Sequence, residues 1–493
     1  MGKRLLAFLF CVLLCLVSVG CGDDHQDAIL YMELPEKPYT LDPQTASTDA
    51  ELMVVRNIFE GLLRKNGKGE IVCGAAEKME IQDKTYTFTL RKDLCWNDQT
   101  PITSDDFLFA FQRAVSAETQ APFVFRLFSI QNAESIYKGK KTLDQLGVTA
   151  PDDRTLVIRL SKQDADFEET LTTSVAMPCR RTFFEESAGY YGLQGQYLLS
   201  NGSYRLSKWS KDPFGIRLYR NLMYKGIFVA QNAAVYRNKN DEKPPVQRLI
   251  DHNVDATLLD PSLEPVTEEN GLHMVEIANT CWVLTIRSDF SRNLRKAFVS
   301  LTGSEVYGND LPHGYEPTDS LYPSVLQVND QQKTIRSTYD LSTGKTCFTE
   351  ALKDLPDRRF PSGVTLSYYD NGVIKPIVTD LVGHWQNNLG AFVNIAAYDD
   401  LSVFSGQLKT QTLDFAIFPV QAKSRQVTEY LENFGENALQ KSPTAFEKSL
   451  LKTNTVIPLL SQTTAVAYSN ALECIWVDTS NGYLDFSWII KTE

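Results

Sequence analysis

Histidine is scarce in this chain of 493 residues: His25, His252, His273, His313 and His384 stand alone, far from one another. That scarcity removes the H-E-x-x-H zinc arrangement, and no G-x-S-x-G turn is present to expose a serine nucleophile. The nine cysteines are no richer in chemistry. Cys11, Cys15 and Cys21 fall in the first stretch, and Cys73, Cys95, Cys179, Cys281, Cys347 and Cys474 are scattered at long spacings with no metal-ligand pair among them. Six cysteines allow about 15 pairings, and isolated thiols are the plainer expectation. Nor is there a cluster of Lys and Arg. The formal charge is −12, so a surface for nucleic-acid phosphates is not to be expected. Thr343-Gly344-Lys345-Thr346 imitates the end of a phosphate loop, but Tyr339 stands where the first Gly belongs and no strand precedes it.

What is present is a globular composition, 43% apolar, long enough for two or three domains. Residues 1–20 read as a secretory leader: Lys3-Arg4, an apolar run from Leu5 to Val19, then Gly20-Cys21 and the polar Gly22-Asp23-Asp24. The run is short of the roughly 20 residues of a membrane-spanning helix. Without this leader the balance is 47 basic against 61 acidic residues, or −14. Cys21 after a small residue resembles a lipobox, with Ser18 where an aliphatic residue is usual; the resemblance implies that Cys21 is lipidated after cleavage.

Residues 41 to 115 are the most informative. Leu52, Val55 and Phe59 fall three and four apart, which predicts a helix with Gly61 as its left-handed stop. Tyr86, Phe88 and Leu90 alternate with Thr, the pattern of a half-buried strand. Thr103 is placed to cap a second helix, with Asp106 three residues on and an apolar stripe of Leu108, Phe111 and Val115. Between them Trp96 sits among turn residues. In order, Leu41-Asp42-Pro43, Phe59-Glu60-Gly61-Leu62, Tyr86 to Arg91, and Trp96 to Phe107 with Arg113 resemble the extracytoplasmic solute-binding proteins of ABC transporters, specifically the peptide/nickel-binding family. Gln99 stands where that family has Gly, which predicts a slightly altered turn.

The resemblance continues through Ile130 to Ala133, Leu146 to Leu160, Ala176 to Leu193, Asn201 to Trp209 and Arg220 to Tyr224. It thins through residues 247–256 and resumes at Cys281 to Phe298. Residues 305–345, rich in Gly, Pro, Asp, Asn and Ser, read as a long surface connection. Val364 to Tyr369 reads as a strand. A helix follows with Ile374, Ile377, Leu381 and Trp385 on one face and Gly390 as its stop, then a strand around Asn394 to Tyr398. That βαβ unit implies parallel pairing, with Asp414 to Phe418 as a further strand. The resemblance implies an α/β fold of the periplasmic-binding-protein type II, two lobes closing on a cleft, with three domains of which the first is discontinuous. The expected division is 21–65, 173–275 and 456–493 for domain I, 66–172 for domain II and 276–455 for domain III.

By the same resemblance the chain is a lipoprotein anchored at the cell membrane on its extracytoplasmic side, a monomer that passes peptides to a permease and its ATPases and has neither cofactor nor catalytic residues. Family members hold an extended peptide through its backbone, like an added strand, with hydrated pockets for its side chains. Carried over by position, ligand contacts fall near Thr48 and Asp49 and along Phe123 and Phe125; helix capping and core packing are the competing roles. Peptide binders of the family carry a G-W-x-x-D whose Asp pairs with the peptide's α-amino group. A gapless placement puts Pro419 to Lys423 there, with Lys423 replacing the acid. Like charges ~4 Å apart repel by roughly 4 kcal/mol at an effective dielectric of 20, so Lys423 predicts a ligand without a free amino end at that point. Other readings are a receptor of the same fold for an acidic oligosaccharide or metal chelate, with Trp96, Trp209, Trp282 or Trp385 stacking sugars, and a secreted hydrolase.

Overall fold

The computed structural model describes residues 29–34, 37–211, 214–226, 233–238, 243–259, 263–308, 311–326, 328, 339–410, 413–422, 427–434, 442–478 and 482–492. The leader, Cys21 and Lys423 lie outside the described residues. Among those described, no helix is long and apolar enough to cross a membrane.

The chain opens on β1 (Ile29–Leu34) and α1 (Asp49–Ile58), then a hairpin of β2 (Leu63–Lys65) and β3 (Ile71–Cys73). A four-stranded antiparallel sheet follows, β4 (Ala76–Gln82), β5 (Thr85–Leu90), β6 (Val148–Asp152) and β7 (Thr155–Arg159), in the order β4-β5-β7-β6. Between β5 and β6 comes α2 (Ser104–Val115). Strands β8 (Tyr204–Lys211), β9 (Phe214–Arg220), β10 (Ala233–Asn238) and β11 (Ala256–Leu259) return to β1. Then β12 (His273–Ile286) leads into the second lobe. That lobe holds α3 (Arg292–Ser300), β13 (Tyr315–Pro317), α4 (Leu341–Lys353), β14 (Thr365–Tyr369), α5 (Ile374–Leu389), β15 (Asn394–Tyr398), α6 (Leu401–Thr410) and β16 (Phe415–Gln421). Finally β17 (Val456–Tyr468) runs back.

Among the described residues these strands form one eleven-stranded sheet, β15-β14-β16-β12-β17-β11-β1-β10-β9-β8, with β13 attached to β17. The parallel βαβ unit is present: β14 pairs with β15 and with β16 in parallel. Its helix α5 buries Ile374, Ile377, Leu381 and Trp385 and stops at Gly390, whose φ of 68° is left-handed. Strand β5 alternates half-buried and buried residues throughout.

Other expectations need correction. Helix α1 ends at Ile58 and Phe59 turns extended (φ −121°, ψ 155°), so Gly61 is no helix stop. Gly61 is required by close approach instead: a Cβ there would lie 2.8 Å from the Leu171 carbonyl oxygen. The stretch 305–345 is not simply a surface connection, because Leu321, Tyr322 and Leu326 are buried in a second-lobe core and α4 begins at Leu341. Thr343 to Thr346 are interior residues of α4, with Gly344 packed on Leu301. Trp96, Trp282 and Trp385 are buried and offer no face to a sugar.

The motif residues of the first lobe converge in space. Glu60 is buried, and its carboxylate takes Arg64 Nη1 at 3.1 Å, Arg91 Nη2 at 3.4 Å and the Tyr224 hydroxyl. Its backbone is bracketed by Asn201, whose amide accepts from Glu60 N at 3.0 Å and donates to Glu60 O at 2.9 Å. A buried carboxylate is tolerated when charged partners surround it, which explains why residues from four distant segments recur together.

Gln99 stands in the left-handed region that favours glycine: its φ is 73°, and its N–H bonds the Trp96 carbonyl at 2.9 Å. The residue is therefore strained, because the left-handed region costs a non-glycine residue about 1 kcal/mol. Gln99→Gly should raise stability by a few tenths to about 1 kcal/mol after the entropy of glycine in the unfolded chain is set against it. A higher urea midpoint with an unchanged slope is the expected result, and an unchanged or lower midpoint contradicts it.

Candidate functional site

The position of the cleft follows from strand direction. Strand β12 pairs antiparallel with β17 along its length, from His273 opposite Tyr468 in the first lobe to Thr285 opposite Val456 in the second, with irregularities between Ile277 and Thr280 and between Trp282 and Val283. Because β17 is antiparallel to β11 and β11 is parallel to β1, β1 runs the same way as β12, toward the second lobe. In the second lobe β16 is antiparallel to β12 and parallel to β14, so β14, β15 and β16 run toward the first lobe. The segments after β1 therefore face those after β14, β15 and β16. Ligands of open α/β sheets bind at such carboxyl ends.

On the first-lobe wall Glu51 organises the segment after β1. This buried carboxylate accepts from the backbone N–H groups of Tyr39 (3.1 Å), Thr40 (3.2 Å), Ser47 (2.8 Å) and Thr48 (3.1 Å). Thr48 in turn is the N-cap of α1, its hydroxyl accepting from Glu51 N at 3.3 Å, and Asp49 is the first helical residue. Tyr39 projects from this wall, 77% exposed. Sequence reasoning passed over both Glu51 and Tyr39; Thr48-Asp49-Ala50-Glu51 carries the capping-box signal that points to the first.

Behind the wall lies a buried ion pair. Arg113, from α2, meets Asp42 at 2.7 Å (Nη2–Oδ2) and 3.2 Å (Nη1–Oδ1), and donates to Gln44 Oε1 at 2.7 Å. Gln44 passes the link to the Met177 carbonyl at 2.8 Å. The guanidinium lies over the Phe184 ring, 3.9 Å from its centroid. Cys179 stands 3.3 Å from Arg113 Nη1, and burial pushes its thiol up to about 11, so it is an inert packing group rather than a nucleophile. Two motif residues 71 positions apart are thus one forked pair, which fixes the cleft-facing segment to α2.

The second-lobe wall is built on Trp282, which stacks on Tyr369 (centroids 6.2 Å apart, planes 8° apart) and donates from Nε1 to Gln462 Oε1 at 2.7 Å. Asn371 accepts from Val373 N and Ile374 N at the start of α5 at 3.1 and 3.3 Å, and donates to the Tyr315 hydroxyl at 2.7 Å. Strand β16 continues through Pro419, Val420 and Gln421, paired with Trp282, Cys281 and Thr280. Pro419 is tolerated because the β14 ladder already ends at Ile417. Ala422, the last described residue before Lys423, donates from its N–H to the Asn279 carbonyl at 2.8 Å.

Phe123 and Phe125 are half-buried and meet edge to face at 6.4 Å. Phe123 packs on the first-lobe core with Arg126 over its ring at 5.0 Å. Gln462, Tyr369, Asn371 and Asn279 had no signal in the sequence, since each becomes significant only through a partner far away in the chain.

Residues 70–441 match the bacterial extracellular solute-binding proteins, family 5 Middle. The chain belongs to that family. It is a solute-binding protein and not an enzyme. It is 26% identical to the oligopeptide-binding protein OppA of Bacillus subtilis over 395 residues, 76% of this chain and 72% of that protein. The fold superposes on the pheromone receptor PrgZ with a TM-score of 0.81 at 19% identity, covering 95% of this chain and 100% of the other. On peptide-bound OppA of Listeria monocytogenes the TM-score is 0.79 at 19% identity, covering 95% and 99%. The α/β architecture is that of these solved proteins.

For this family-5 protein, removing one half of the Asp42–Arg113 pair leaves the other charged and buried, at a cost of roughly 3–5 kcal/mol. Asp42→Ala and Arg113→Ala should each lose about that much in chemical denaturation, and the double variant should lose clearly less than the sum. Additive losses would show that the two residues stabilise the lobe independently.

Proposed function

We propose that the chain captures peptides in the cleft between its lobes and delivers them to a membrane permease driven by ATPases. The observation that carries this reading is the β12–β17 ladder, which joins both lobes and is interrupted at Ile277/Thr280 and Trp282/Val283. A bulge unpairs one residue and bends the strand, so the interruptions supply a hinge between the two halves of the eleven-stranded sheet. Family membership and the peptide-binding relatives support the choice of ligand class. The segments placed to face each other across the cleft carry the exposed Tyr39 after β1 and Tyr369–Asn371 at the end of β14. Such walls suit an extended chain recognised through its main chain. The buried Trp96, Trp282 and Trp385 weigh against the sugar-receptor reading.

Within this reading Lys423 stands in place of the family's amine-anchoring acid, Thr48, Asp49, Phe123 and Phe125 remain proposed contacts, and peptides with a blocked amino end or an extra carboxylate bind better than free ones. A ligand at a hundredfold excess over Kd adds about 2.7 kcal/mol of stability, enough to read as a melting shift. N-acetylated peptides should shift wild type more than their free counterparts, and Lys423→Asp should reverse the order. A preference of wild type for free amino ends, unchanged in Lys423→Asp, contradicts the assignment of Lys423 but leaves peptide capture intact.

The same reading makes Cys21 the lipidated first residue of the mature protein, held at the extracytoplasmic face of the cell membrane. Cys21→Ala should move the protein from the detergent phase of a membrane extract to the aqueous phase. Unchanged partitioning contradicts lipidation at Cys21.

A further inference from the structure

A cavity far from the interlobe cleft is lined by charged side chains that peptide capture does not use. It is formed by Arg56, Arg64, Lys65, Arg126, Tyr483 and their neighbours, and none of its lining residues falls between Tyr224 and Trp476, so the second lobe contributes nothing to it. Its place follows from register. Ile58, the last residue of α1, accepts from Gly202 N at 2.8 Å. Nearby Tyr204 pairs with Arg220, Tyr219 with Ala233, and Ala233 with Ile29, the first residue of β1. The C-terminal end of α1 and the cavity beside it therefore lie where β1 begins, while the cleft lies where β1 ends.

The charges of this cavity are sorted. Arg64 holds Glu60 at 3.1 Å and Asp485 at 2.9 Å, and Lys65 holds Glu169 at 2.6 Å and Asp478 at 3.2 Å. Four carboxylates are thus gathered on two cations. Arg56 is left differently: its guanidinium lies 5.0 Å from the centroid of the Tyr483 ring, its Nε is buried without a hydrogen-bond partner, and it makes no ion pair among the described residues. Arg126, from the segment before β6, supplies a second guanidinium to the same space. The enclosed volume is about 70 Å³, room for a small oxyanion and well short of the roughly 300–1,000 Å³ of a drug-sized ligand site. A guanidinium that lines the cavity beside an aromatic ring, with no carboxylate paired to it among the described residues, is suited to a forked oxyanion.

We propose that this far-end cavity is a second binding site, separate from the interlobe cleft, and that it takes a small solute bearing an oxyanion, a carboxylate or an inorganic phosphate, on Arg56. Such a ligand bridges α1 and the C-terminal residues Trp476, Asp478 and Tyr483 to the Arg126 and Thr172–Thr173 segments, so it ties two parts of the first lobe together.

The test uses the mature full-length protein and inorganic phosphate as probe, against chloride at matched ionic strength, read by the linewidth of the phosphorus resonance and by melting temperature. Wild type should broaden the resonance saturably and gain stability, and Arg56→Met should bind about tenfold or more weakly. Arg56→Lys keeps the charge but not the fork, and serves if Arg56→Met does not fold; it should bind several-fold more weakly. Reversal by acetate assigns the shared oxyanion chemistry, and persistence in acetate assigns phosphate alone. No saturable broadening by wild type, or equal binding by the Arg56 variants, overturns the site. Neither result bears on peptide capture, which the melting shift with peptides measures separately.

Discussion

Both lobes depend on one antiparallel ladder. In the first lobe β12 and β17 are joined by β11; in the second they are joined by β16 and β13. Each lobe is thus a sheet continuous with the same two strands, and relative motion of the lobes has to be absorbed within them. An unbroken ladder resists bending because every residue on one strand is held to its partner. The register breaks here at Ile277/Thr280, and the buried Asn279 beside this break is held by Ala422 rather than by β17. The constraint leaves few positions where the chain can flex, and they sit at the floor of the cleft.

The first lobe is made rigid by buried charge. Asp42 with Arg113, and Glu60 with Arg64, Arg91 and Tyr224, tie together segments that are far apart in sequence. Each is a buried ion set with several hydrogen bonds, costly to break from one side. The cleft-facing segment is held twice over, by Glu51 through four backbone N–H groups and by Arg113 through Asp42. A wall preorganised in this way does not have to be ordered when a ligand arrives, which reduces the entropy lost on binding.

Local periodicity made much of this legible. Strand β5, helix α5 with its Gly390 stop, and the parallel β14–β15 pair could be read because spacing and capping act within a few residues. The far partition of β17 could not. An expected boundary at 455/456 falls at its first residue, yet Val456 to Gln462 pair within the second lobe and Ala465 to Tyr468 within the first. The strand's two apolar stretches, Val456 to Leu460 and Ala465 to Ala467, look alike in sequence and neither marks which sheet it joins; only the half-buried Ser461 to Thr464 separates them. Gly61 misled for a related reason, since a glycine needed for close approach to Leu171 looks the same in sequence as one needed for a left-handed cap. Of the candidate site, Thr48, Asp49 and Glu51 belong to a helix start whose capping signal is local, whereas Gln462 and Asn371 acquire their roles only through partners brought together by the fold.

The central claim is that the two lobes close about the β12–β17 ladder when a peptide is bound. Small-angle X-ray scattering of the protein, stripped of ligand and then saturated with a peptide that raises its melting temperature, measures this directly. The account predicts that the radius of gyration falls on saturation. A peptide that binds and stabilises the protein while the radius of gyration stays constant would contradict it.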